Sequence, residues 1–90
     1  MILILFCTTF PHPFTAELSR QGHQVYECLA ITEVLALAEQ FPTANIVIDS
    51  QIDIDRALLI QHHYPTLHLK EDATVQDILW ELNLKGATVQ

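Results

Sequence analysis

Two stretches, ILILFC at 2–7 and IVI at 46–48, are apolar at every position. A strand with one wet face alternates apolar and polar residues, so an unbroken apolar run marks a strand covered on both faces. A chain that contains two such strands must cover its sheet on both sides. The segments between and after them carry a different period. Val34, Leu37, Ala38 and Phe41 recur at i, i+3, i+4 and i+7, which is one stripe of a helix. Apolar strands alternating with amphipathic helices imply a parallel sheet joined by right-handed crossovers.

Finer signals place the remaining elements. Pro13 suits the first position of a helix that carries Phe14 and Leu18, and Gly22 suits its left-handed cap. His23 to Leu29 reads as a second, more polar strand. Thr32 is expected to cap the second helix, and Pro42 to close it. Asp53 or Asp55 starts a third helix, with Ile54, Ala57 and Leu58 as its core face. Thr66 to Lys70 alternates as a short half-buried strand. A last helix carries Val75, Ile78, Leu79 and Leu82, opens on the capping-box pair Thr74 and Asp77, and stops near Gly86. The order is β-α-β-α-β-α-β-α. The two fully apolar strands belong in the middle and the two mixed strands at the edges. The expectation is one α/β domain over residues 1–90, a three-layer, doubly wound, four-stranded parallel sheet of order 2-1-3-4, flavodoxin-like.

Charge narrows the partners. The formal net charge is −7, with only four Lys and Arg. Nucleic acid and anionic membrane are both bound by clustered cations, and none cluster here, so neither is an expected partner. The opening apolar run meets Pro11 too soon to span a bilayer and lacks a basic flank, so it reads as a strand. Two cysteines without C-x-x-C spacing point to a reducing, cytoplasmic setting.

In doubly wound sheets ligands bind beyond the carboxyl ends of the strands, near the switch between the first and third. There the chain places Cys7, Thr8 and Thr9 after strand one and Asp49 and Ser50 after strand three; Lys70 follows strand four. Asp49 is either a reactive carboxylate or the polar stop of a buried strand. Asp49, Asp53 and Asp55 do not make a calcium loop, because Ile54 and Ile60 stand where its glycine and glutamate belong. The five histidines show no metal-ligand spacing, and His12, His23 and His68 fall on separate elements, as surface or helix-end residues. No metal or cofactor is expected.

The stretch LSRQGHQVYECLAITEVLALAEQFPTANIVIDS resembles the first half of a response-regulator receiver domain. In that family strand three ends in a phosphoryl-accepting aspartate, which Asp49 matches. The closing LKEDATVQDILWEL is similar to the family's last segment, where a lysine ends the final strand; Lys70 matches it. The family's magnesium-binding acidic residues after strand one are replaced by Cys7, Thr8 and Thr9, and the chain is about one βα unit short of the full domain. The resemblance therefore implies a truncated, degenerate receiver: a non-enzymatic regulatory or protein-interaction module. The alternative it leaves is a phosphoryl carrier, using Asp49 or using Cys7, whose place after strand one resembles the phosphocysteine of sugar-phosphotransferase IIB proteins.

In the 2-1-3-4 order strand four is an open edge, a template for pairing with another chain. Trp80 and Leu84 lie one turn apart, off the core stripe of the last helix. Together with His68 on the edge strand they are the expected interface, for a homodimer or another protein partner.

Overall fold

The computed structural model describes the backbone of residues 1–89 and the side chains of residues 1–83. The elements run β1 (Ile2–Phe6), α1 (Pro13–Arg20), β2 (Gln24–Cys28), α2 (Ile31–Gln40), β3 (Asn45–Ile48), α3 (Ile54–Gln61), β4 (Thr66–His68) and α4 (Val75–Val89). All strand pairings are parallel and the sheet order is β2-β1-β3-β4. The architecture is α/β and flavodoxin-like, with the two apolar runs as the central strands.

The sheet divides the interior into two cores. Ile4 and Phe6 of β1, with Ile46 and Ile48 of β3, pack against Val34 and Ala38 of α2 and Ala57 and Ile60 of α3. The alternate residues Leu3, Leu5 and Val47 pack on the other face, against Leu18 of α1 and Val75, Ile78 and Leu82 of α4. Every β1 residue from Leu3 to Phe6 is thus buried on one side or the other. This accounts for the absence of polar positions in that run.

Several ends follow the local chemistry of the sequence. Pro13 opens α1. Gly22 takes φ +91, and a Cβ there would meet no neighbour, so the left-handed backbone alone favours glycine. Asp53 caps α3 by accepting the Arg56 N–H at 3.1 Å. Asp77 accepts the Thr74 N–H at 2.8 Å while its own N–H donates to Thr74 Oγ1 at 3.2 Å, a complete capping box at the start of α4.

Other expectations are corrected. α2 starts two residues early, with Ala30 at its cap and no side-chain cap bond; Thr32 is already inside the helix. In its place Glu33 reaches back to accept the Leu29 N–H at 3.2 Å. On α3 the buried residues are Ala57 and Ile60, whereas Ile54, Leu58 and Leu59 are exposed. Ala57 and Ile60, both fully buried, pack in the core with Ile46 and Ile48, and that phase turns Ile54 and Leu58 outward. β4 stops at His68, short of Lys70. α4 runs through Gly86 to Val89, past the expected stop. Leu84, an expected interface residue, lies outside the described side chains.

Candidate functional site

β1 and β3 both end at the same rim, where the Asp49 N–H donates to the Phe6 carbonyl at 2.9 Å. Between β1 and α1 the chain crosses this rim through exposed Thr8, Thr9, Phe10 and Pro11, then turns inward at His12. His12 is the buried polar residue of the molecule among the described residues, with 6% of its surface exposed.

Three bonds that involve a side chain fix His12. Its backbone N–H donates to Glu27 Oε2, near the end of β2, at 2.9 Å. Its ring Nδ1 accepts the Phe14 N–H at 3.1 Å, so the imidazole itself caps α1. Its Nε2 lies 3.2 Å from Asp49 Oδ1. A nitrogen that accepts carries no proton, so in the neutral ring the proton is on Nε2 and is donated to Asp49. The ring also meets Phe14 edge-on, with centroids 4.9 Å apart. Residues from three segments are thereby drawn into one clasp: Glu27 within β2, His12 before α1 and Asp49 after β3.

Cys7 lies beneath this clasp. It is fully buried, and its thiol points at the Cys28 carbonyl at 3.8 Å. Burial, reinforced by the negative charges of Glu27 and Asp49, pushes the Cys7 thiol up to about 11. Nucleophilic cysteines need the thiolate; here the surroundings hold the proton on.

Of the sequence-derived rim residues, the structure brings Cys7 and Asp49 to one place and leaves Thr8 exposed beside them. Lys70 makes no ion pair with Asp49 among the described residues. It lines a separate groove of about 320 Å³ between β4 and α4, with His68 and Trp80. Trp80 is 64% exposed there.

The residue missed from sequence is His12. The sequence places it with the surface or helix-end histidines, although it immediately precedes a proline suited to the first helical position, where a side-chain acceptor is wanted. Glu27 carried no signal at all.

The donor set does not fit the magnesium ion of receiver domains. That ion wants several hard oxygens, usually carboxylates. Here Asp49 Oδ1 is engaged by an imidazole, Glu27 Oε2 by a backbone amide, and the loop after β1 supplies a thiol and two exposed hydroxyl residues. Among the described residues no three His, Cys, Asp or Glu side chains converge as metal ligands would. No described helix is long and apolar enough to cross a membrane. Compared with family models, curated proteins and solved structures, the chain matches none.

Proposed function

We propose that this chain is a small non-enzymatic regulatory module that works by binding protein, a receiver-like domain in which phosphorylation chemistry has given way to an internal clasp. One observation carries the reading. The carboxylate at the position of a phospho-acceptor, Asp49, is already bonded to buried His12. An oxygen that must attack phosphorus needs to be free and flanked by a cation that gathers the phosphoryl oxygens. Asp49 has instead the His12 ring Nε2 as its hydrogen-bond partner, and Lys70 lines another groove. Two unpaired buried thiols support a cytoplasmic setting, and a signalling role follows from the receiver comparison alone.

The competing reading is a phosphoryl carrier at Asp49 or Cys7. Incubation with a small phosphodonor and Mg²⁺, followed by intact mass, separates the two. An unchanged mass is expected. A stoichiometric phosphoryl adduct, lost in Asp49→Ala or Cys7→Ala, overturns the proposal.

Self-association is a second reading, favoured by exposed apolar side chains. Trp80 and the edge strand are the contacts expected from sequence, and α3 adds Ile54, Leu58 and Leu59, each more than half exposed. The α3 row suits a second copy better than the acidic β4 groove does, because like charges repel there. Light scattering tests this: a dimer disrupted by Leu58→Asp supports it, and a monomer at high concentration removes it.

A further inference from the structure

We propose that the groove between β4 and α4 receives an extended, lysine- or arginine-rich segment of a partner protein, which adds to the sheet as a strand beside β4. The inference rests on the protein-binding reading and names the chemistry of the partner.

Geometry supplies the first half of the argument. β4 pairs with β3 on one side only and ends the sheet order. Its other side is a row of backbone donors and acceptors that an extended chain can satisfy. The groove of about 320 Å³ runs along that edge, between Leu67 and Lys70 of the strand side and Asp77, Trp80 and Glu81 of α4. An added strand would lie over it, with alternate side chains directed toward α4.

Charge supplies the second half. Asp72, Asp77 and Glu81 line the groove against one cation, Lys70. Asp77 is partly occupied by the Thr74 cap. Asp72 and Glu81 make no ion pair among the described residues. Trp80 stands open beside them, and an indole face attracts a cation. A second copy brings the wrong charge: it carries a net −7, and of its four Lys and Arg, Arg20 is bound to Glu17 and Arg56 to Asp53. A basic segment supplies both what the edge lacks and what the groove's charge attracts.

The chain's single tryptophan lies in the groove, so its emission reports occupancy. The full chain is titrated at low salt with a short peptide of alternating lysine and valine. A saturable change in Trp80 emission is expected, weakened about five- to tenfold in the D72N/E81Q variant. K70E removes the groove's cation and is expected to tighten binding, an effect that misfolding cannot imitate. A peptide of alternating lysine and proline has the same charge but cannot join a sheet; binding as tight as that of the lysine–valine peptide overturns strand addition. Tight binding of a glutamate–valine peptide, no emission change with the lysine–valine peptide, or an emission change driven by protein concentration alone each overturns the proposal. If the titration fails while the phosphodonor leaves the mass unchanged, the basic segment is wrong and the non-enzymatic reading stands.

Discussion

Cys7 and Cys28 close neighbouring strands yet point into opposite cores. Phe6 is the register partner of Cys28, which sets Cys28 in the layer of α2 and α3 and Cys7 in that of α1 and α4. The sheet itself separates the two thiols, so adjacency in the strand order does not make a redox pair. Neither thiol is expected to react with a thiol reagent in the folded protein, and both should react at once in denaturant. A disulfide-linked mass from native protein under mild oxidation would contradict this.

The same burial makes stability depend on alkaline pH. Both thiols are pushed from 9.0 up to about 11, chiefly by desolvation. Unfolded thiols ionise near 9.0 while folded ones hold their protons to about 11, so their contribution is complete below 9.0 and is lost as pH rises toward 11. Each contributes up to about 2–3 kcal/mol to that loss. Urea midpoints measured across this range should fall with pH, and a Cys7→Ala/Cys28→Ala protein should show a shallower fall.

The clasp should be measurable as coupling. His12→Ala removes the cap on Phe14 and the bond to Asp49, and is expected to cost about 2–3 kcal/mol. Asp49→Asn should cost less, because an amide oxygen can still accept from Nε2. A double-mutant cycle between His12→Ala and Asp49→Ala is expected to give about 1–2 kcal/mol of interaction. Additive effects would mean that the ring and the carboxylate stabilise the fold independently.

The phase of α3 gives a sharp contrast between neighbours. Ile60 is fully buried and Leu58 is 52% exposed. Ile60→Ala is expected to cost about 3 kcal/mol through the cavity it leaves, and Leu58→Ala less than about 0.5 kcal/mol. Thermal melts of the two variants decide; a reversed ranking would mean that the helix is turned to bury Ile54 and Leu58.

At the start of α4, Thr74→Ala removes the arm in which Thr74 Oγ1 accepts the Asp77 N–H, and leaves the backbone N–H of residue 74 still donating to Asp77. A loss of about 1 kcal/mol in chemical denaturation is expected. Thr74→Ser, which keeps the acceptor oxygen, should recover most of it.

How much of this was legible beforehand depended on range. Ile2–Phe6 and Ile46–Ile48 announced central strands because covering both faces removes every polar position, and order 2-1-3-4 followed from that. Gly22 and the Thr74–Asp77 pair were legible because their chemistry spans a few residues. Thr32 failed as a cap because a preceding residue with extended backbone, Ala30, serves as well when Glu33 reaches back. Ile54 and Leu58 failed because an eight-residue helix offers more than one apolar row, and only packing selects among them. The site divided in the same way. Asp49 and Cys7 were found from the rule that strand ends gather at one rim. His12 and Glu27 were missed because their bonds span 37 and 15 residues, and no local period encodes them.

The short β4 at the end of the sheet also bears on how copies of this domain stay apart. Strand edges left bare invite stacking of copies into insoluble fibres. The carboxylates around the groove act as a guard against that outcome, since each molecule repels the next before their edges can meet. Under the proposed strand addition, neutralising them would weaken partner binding and remove this repulsion together, so solubility and partner choice would rest on the same few side chains.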